Sequence, residues 1–355
     1  MDLRELFTPA AIAANWEEVA SNQIPYIGEA LFPAQKKAGL DLSWIRGTKG
    51  LPVSLMPSAF DAKATFRDRP GLTKTETEMP FFREGFKIKE KDRQEILRAQ
   101  DSNDQYLNTV LSNIFDDARN LIDGANVVPE RMRMALLFAN NGNVQIVFKA
   151  NGVEYSYNYD PNSEWKTSNY FALTGTALWS ASATANPFAD IKTARDAVRS
   201  KTGTAPVIAL MNTYTFNLLG AVDAVKDRFL TTIGQTIGFI TDADVIAVMQ
   251  NVAGVTPVIY DKQYKDESGQ NQSFVPNGYV ALVPEGALGS TWYGTTPEEA
   301  DLRGGNSDAQ VAIVNTGVAI TQIIDPHPVN VNTFASEIVL PSYERMDEVA
   351  LLKVV

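Results

Sequence analysis

The residues of this chain that could do chemistry are few and poorly grouped. His327 is the single histidine, set between Pro326 and Pro328, and cysteine is absent. Zinc sites usually gather several nitrogen or sulfur ligands, so a lone imidazole at a strand-to-strand corner reads as structural. No Gly-x-Ser-x-Gly elbow is present to locate a serine nucleophile. Glu17-Glu18 and Asp116-Asp117 are adjacent carboxylates, which diverge on a helix and cannot flank one substrate bond as glycosidase pairs do. Gly286, Gly289 and Gly294 match neither a dinucleotide fingerprint nor a phosphate-binding loop. Asp266-Glu267-Ser268-Gly269 resembles part of a calcium loop, but such text is more often a hairpin turn. Neither a catalytic constellation nor a cofactor or metal site emerges.

One charged group does have a pattern. Between Trp44 and Thr75 come Arg46, Lys49, Lys63, Arg67, Arg69 and Lys74 against only Asp61 and Asp68. Pro52, Pro57 and Pro70, with Gly50 and Gly71, break any long element there. A two-stranded loop projecting from the fold fits this text. It has too little apolar patterning to bury itself on its own domain, so it is expected to lie on another molecule. Its cations face an acidic helix region carrying Asp101, Asp104, Asp116, Asp117, Asp123 and Glu130, with Arg119 the one base there. Opposite patches favour correct encounter and register between copies. Arg46, Lys49, Lys63, Arg67, Arg69, Lys74, Asp116 and Asp117 are therefore the candidate inter-subunit contacts, and residues 45–88 are expected to bury little against their own subunit.

The elements around this loop can be read from pattern. Pro25 and Pro33 keep Ile24 to Gly50 irregular, with a short strand at Leu40, Leu42 and Trp44. Ser102 and Gln105 form a capping-box pattern, and apolar residues from Tyr106 to Ile122 recur with helical period until Gly124 supplies a stop. Pro129-Glu130 is expected to start a shorter helix through Phe138. Val144, Ile146 and Phe148, then Val153, Tyr155, Tyr157 and Tyr159, flank Asn151-Gly152 as a hairpin with a type I′ turn. Thr174 to Asn186 reads as a linker, and Pro187 opens a helix carrying Ile191, Ala194 and Val198. Strand and helix then alternate: Val207 to Met211, Tyr214 to Leu219, Asp242 to Asn251, Val255 to Tyr260 and Tyr279 to Val283. Such alternation suggests a compact subdomain between about residues 200 and 305. Long β-branched runs from Gln310 to Ile324 and Val329 to Leu340 are expected to close back on the long helix.

Composition bounds the function. With 45% hydrophobic and 21% charged residues the chain can form one large or two ordinary domains. A formal net charge of −11 argues against a dedicated nucleic-acid binder, since affinity for a polyanion comes chiefly from Lys and Arg. The absence of cysteine fits a reducing compartment and excludes a disulfide framework. No window approaches the ~20 apolar residues of a membrane span, and the start, Met1-Asp2-Leu3-Arg4-Glu5, lacks a signal-peptide pattern. The chain reads as soluble and unexported.

Several pieces together carry a resemblance. Pro187-Phe188-Ala189-Asp190-Ile191 following Trp179, then Thr202-Gly203-x-x-Pro206 and the strand Val207 to Met211, resemble the tailed-bacteriophage major capsid proteins of the lambda capsid protein E type. Gly289-Ser290-Thr291-x-Tyr293-Gly294-Thr295-Thr296-Pro297-Glu298 and the Asn151-Gly152 hairpin are similar to that family too, and the order holds from about Phe32 to Val349. The resemblance implies an α+β chain of the Hong Kong 97-type capsid fold. The expected divisions are an N-terminal arm at 1–44, an extended loop at 45–88, a peripheral domain with spine helix and hairpin at 89–199, an axial domain at 200–305, and a return to the peripheral domain at 306–355.

What the family implies further is a virion capsid protein, not an enzyme, assembled in the host cytoplasm. It would form hexamers and pentamers and an icosahedral shell around double-stranded DNA, without a cofactor or a membrane. A portal belongs to that picture, with a decoration protein as an optional partner, and the lack of a long helical scaffolding segment at the start leads us to expect a separate scaffolding protein. Some relatives weld neighbours by Lys–Asn isopeptide bonds; Lys63 and Lys74 lie in the loop, but no motif supplies their partner and crosslinking is not expected. Packaged DNA is expected to meet only nonspecific contacts, with Arg4, Lys36 and Lys37 facing the interior. The rival readings are an oligomeric hydrolase or carbohydrate-binding protein, and another structural subunit such as a tail tube or nanocompartment protein.

Overall fold

The computed structural model describes residues 8–10, 12, 25–46, 73–88, 94, 105–150, 152–233, 241–304, 310–326 and 329–355. The expectations for Arg4, Lys49, Lys63, Arg67, Arg69, the Ser102 cap, Asn151 and His327 lie outside these residues. So do the side chains of Lys74 and Leu111.

Along the chain, helix α1 (Ile27–Leu31) leads to strands β1 (Ala34–Lys36), β2 (Asp41–Arg46), β3 (Thr73–Glu78) and β4 (Phe81–Ile88). Helix α2 (Gln105–Leu137) precedes the hairpin β5 (Gln145–Ala150) and β6 (Val153–Asn158), then α3 (Glu164–Asn169), β7 (Tyr170–Ala172) and α4 (Pro187–Thr202). Next come β8 (Ile208–Met211), α5 (Thr213–Ala221), α6 (Asp223–Ile233), α7 (Asp242–Val248) and β9 (Thr256–Ile259). The short pair β10 (Gln263–Lys265) and β11 (Asn271–Ser273) leads to β12 (Tyr279–Val283) and β13 (Ser290–Tyr293). Helix α8 (Pro297–Gly304) and strands β14 (Gln310–Val314), β15 (Val318–Pro326), β16 (Val329–Ser342) and β17 (Ala350–Lys353) complete the order.

These elements form two compact units. The first comprises residues 1–42, 76–132 and 289–342. Its sheet runs β1-β13-β16-β15-β14, and β4 pairs along β16 from Ile88 opposite Val331 to Phe81 opposite Ile338. Residues 81–88, expected to be part of a projecting loop, are thus a strand of their own chain's sheet. Its partner β16 is long enough, at 14 residues, to hold β4 and β13 end to end. The β-branched run from Gln310 to Ile324 is a hairpin: Asn315, in the left-handed region with φ 51°, turns it between β14 and β15. Gly317 belongs to that turn because any Cβ there would collide with the ring of Tyr293.

Helix α2 has 33 residues, about 50 Å at 1.5 Å per residue, and runs through both Gly124 and Pro129. Both were expected to bound helices. Proline has no N–H, so the carbonyl of Ala125 forgoes its usual donor. Burial around the break offsets this: Pro129 and Glu130 are buried, and a Glu130 carboxylate oxygen accepts the Gly28 N–H at 3.1 Å, satisfying an otherwise orphan donor at the start of α1. In the first unit Ala118 and Ile122 pack with Ile12, Val314 and Ile320. The opposite ridge, Asp117, Asn120 and Gly124, is exposed.

The second unit comprises residues 43–75, 133–288 and 343–355. Its five-stranded sheet has the order β7-β17-β12-β8-β9, with β12 antiparallel to both neighbours and the outer pairs parallel. Every residue of β12 is buried, as a central strand covered on both faces requires. Ile191, Ala194 and Val198 of α4, Phe216 and Leu219 of α5, and Val225 of α6 pack with Val280, Leu282 and Leu352. By contacts, α4 and β17 belong with this unit, and β13 and α8 with the other.

Thr174 to Asn186 is not a linker either. Trp179 is buried at 0% exposure, its N–H reaches the Val354 carbonyl at 3.0 Å, and its indole N–H donates to Asp190 at 3.0 Å. Burial raises the Asp190 carboxyl above the usual carboxylate range, partly offset by that indole bond. Asn186 caps α4 by accepting the Ala189 N–H, and Gly203, φ 80°, ends it. The β5–β6 hairpin pairs Ala150 with Val153, and Gly152 has φ 79°.

Candidate functional site: the base of the 47–72 segment

Strands β2 and β3 pair with each other and carry the two ends of residues 47–72. Alternation along β2 buries Leu42 and Trp44 and leaves Asp41, Ser43 and Ile45 exposed. Trp44 stacks on Tyr159 with centroids 5.3 Å apart, and burial pushes the Tyr159 hydroxyl well above its ordinary pKa.

Two residues beyond Trp44, on the same side of the strand, stands Arg46. Its Nη2 donates to Asp347 Oδ1 at 2.8 Å and its Nε to Asp347 Oδ2 at 3.2 Å, a forked pair of the kind only guanidinium makes. Asp160 Oδ1 lies 3.8 Å from Nη1. Lys201 Nζ, from the last turn of α4, reaches Asp347 Oδ1 at 3.4 Å and Ser168 Oγ at 3.0 Å. The Asp347 side chain is 4% exposed. Burial works against its charge, but the hydrogen bonds and charges of Arg46 and Lys201 outweigh this and hold its carboxyl below the usual range.

Helix α3 supplies the floor. Asp160 accepts the N–H groups of Trp165 at 3.1 Å and Lys166 at 3.0 Å, satisfying first-turn donors. Trp165 is fully buried and its indole donates to the Met346 carbonyl at 2.9 Å. Asn169 Nδ2 donates to the carbonyls of Asp347, at 2.9 Å, and Val349, at 2.7 Å. Residues 346–349 are thereby fixed on both sides of Asp347. The arrangement holds a strand end.

The other expected contacts are dispersed. Asp116 pairs with Arg119 at 3.1 Å on α2, and Asp117 is exposed on the same helix, in the first unit. Glu130, counted with that acidic surface, is buried against α1. Lys36 does not stand free for packaged DNA: its Nζ is 2.6 Å from Glu299, a buried carboxylate of α8, while Arg83 and Ser336 hold the adjacent Glu298. Asp266 caps a tight turn, accepting from Ser268 N, Ser268 Oγ, Gln270 N and Gln272 Nε2, which lowers its pKa. That is the hairpin turn expected of it. Sequence reading missed Asp347, Asp160 and Lys201. The one local signal was the turn text Asp160-Pro161-Asn162-Ser163 before α3.

The architecture has the fold of solved phage and prophage capsid subunits. A protein assigned as the capsid protein of a prophage of E. coli CFT073 superposes with TM-score 0.60 at 14% identity, over 98% of this chain and 99% of that one. The cyanophage A-1(L) capsid subunit gives 0.53 at 11% identity, covering 93% and 92%. A phage-related protein of Bordetella bronchiseptica RB50 gives 0.52 at 14%, covering 98% and 96%. The chain belongs to the phage major capsid protein E family, whose pattern it matches over residues 8–354. No curated protein matches it. It is a structural protein of the virion that assembles with its own copies into the capsid shell, and its family are not enzymes.

Proposed function

We propose that residues 47–72 form the extended arm by which one subunit covers its neighbour within hexamers and pentamers, and that the Arg46–Asp347 clamp sets the direction in which the arm leaves. The observation that carries this reading is the contrast at the base of the arm. Arg46 is bound bidentately to a buried carboxylate, and one residue earlier Ile45 is 50% exposed on the open side of β2. A strand end this firmly held serves a segment whose aim matters. In this reading Arg46 acts within its own subunit, and Lys49, Lys63, Arg67, Arg69 and Lys74 meet the neighbour. The first unit corresponds to a peripheral domain and the second to an axial one.

The shell is proposed to be icosahedral, to form in the host cytoplasm on a separate scaffolding protein with a portal, to enclose double-stranded DNA, and to accept a decoration protein on its outside. Replacing residues 47–72 by a short Gly-Ser linker tests the arm. Negative-stain microscopy of the variant, alone and with a candidate scaffold, is expected to show no closed shells while its melting temperature stays within a few degrees of the parent. Closed shells from the linker variant would refute the arm reading, and rings or open cylinders from the parent chain would favour a tube subunit.

A further inference from the structure

Among the described residues, strand β14 is an edge strand of the first unit's sheet, with α8 as a neighbour. It pairs with β15 from Gln310 opposite Gln322 to Val314 opposite Val318, and among the described residues no strand lies on its other side. A row of backbone N–H and C=O groups at such an edge is a template for another strand, and proteins usually guard it with charge, proline or shortness. The other described edges are guarded in those ways. β4 carries Arg83, Glu84 and Lys87, β3 carries Lys74, Glu76 and Glu78, and β9 contains Pro257. β1, β7, β10 and β11 have three residues each. The β5–β6 hairpin has Lys149 and Glu154, and β2 has Asp41 and Arg46. β14 reads Gln-Val-Ala-Ile-Val: five residues, uncharged and free of proline.

We infer that β14 pairs antiparallel with β14 of a second copy, across a two-fold axis at Ala312, so that the sheets of two subunits run on as one. The protein already assembles with itself, and the unguarded strand matches itself better than it matches the charged edge β4. In that register Ala312 faces Ala312 of the partner subunit, and Val311 faces the partner's Ile313. Directly opposed residues lie on one face of a sheet, so Ile313, 39% exposed in the single chain, is covered by an apolar neighbour. The symmetry makes this an isologous contact, suited to joining two capsomers rather than to closing a ring.

The absence of cysteine gives a clean test. Opposed residues of an antiparallel pair have Cα atoms about 4.5–5.5 Å apart, within disulfide range. Ala312→Cys, assembled and then mildly oxidised, is expected to run mainly as a covalent dimer on a non-reducing gel. Ser156→Cys, at an exposed position of β6, is the control and is expected to stay monomeric. Closed shells of Ala312→Cys subunits that remain monomeric on the gel would overturn the pairing while leaving shell formation intact. Ile313→Lys supplies a second measurement, since its exposed side chain is tolerated in the single chain. It is expected to keep its melting temperature and to cut shell yield at least tenfold; undiminished shell yield would overturn the proposal.

Discussion

Arg46 and Asp347 answer to each other across 301 positions of sequence, and the consequences of separating them differ by partner. Arg46→Ala leaves the buried carboxylate with Lys201 at 3.4 Å as its remaining cation. Removing one member of a buried pair costs about 3–5 kcal/mol, and the residual lysine puts this variant at the lower end, about 3 kcal/mol by urea denaturation. Asp347→Asn keeps the shape and removes the charge. The folded carboxyl sits below its unfolded value near 3.9, so the stability it contributes is complete above about pH 4 and is lost as pH falls through the folded pKa. The stability gap between Asp347→Asn and the parent is therefore expected to be constant from pH 5 to 7 and to shrink below pH 4. A gap that widens in acid would contradict the assigned sign.

Within α2, the two faces make opposite predictions. Ile122 is 1% exposed, so Ile122→Ala is expected to cost about 2–5 kcal/mol, whereas Asp117→Ala on the exposed ridge should stay within ~0.5 kcal/mol. Gly124 occupies the same ridge, and a Cβ there would meet nothing within 4 Å. Gly124→Ala is expected to raise stability by roughly 0.5–1 kcal/mol in thermal melts of the unassembled subunit. The helical period was legible in the sequence because Ala118 and Ile122 recur on one buried face. The ends were not. Gly124 and Pro129 are local stop signals that distant contacts override, above all Glu130 reaching Gly28, 102 positions away. The hairpin at 150–153 and helix α4 were legible because their turn and cap chemistry is local. The clamp was not: β2 and the turn before α3 carried local patterns, but Asp347 lies in a segment with none.

At the scale of the whole molecule, the excess of acidic groups has a direct reading: formal charge −11 opposes the field of a nucleic acid. Unassembled subunits at physiological salt are expected to show no saturable, sequence-selective binding to duplex DNA in fluorescence anisotropy, while still forming capsomers or shells under assembly conditions. A tight sequence-dependent complex made by subunits that never assemble would contradict the virion role. The two-unit division was hidden from sequence reading for a physical reason: each unit draws on three separate stretches of chain, so composition shows no boundary where the contacts change.

Strand β17 lies inside its sheet, between β7 and β12, although β7 and β12 precede it by some 180 and 70 positions. During synthesis, the second unit can build helices and the β8–β9 pair early, but β7 has no neighbour until residues 350–353 leave the ribosome. Nascent or prematurely terminated subunits consequently carry an unfinished sheet and, with it, an unplaced Asp347 or none at all. Order of translation thus becomes a quality filter, since a chain that stops early lacks the strand and the buried carboxylate that complete the second unit. Chains ended at residue 342 and co-expressed with intact ones are expected to be absent from purified shells, as mass spectrometry of the particles can establish.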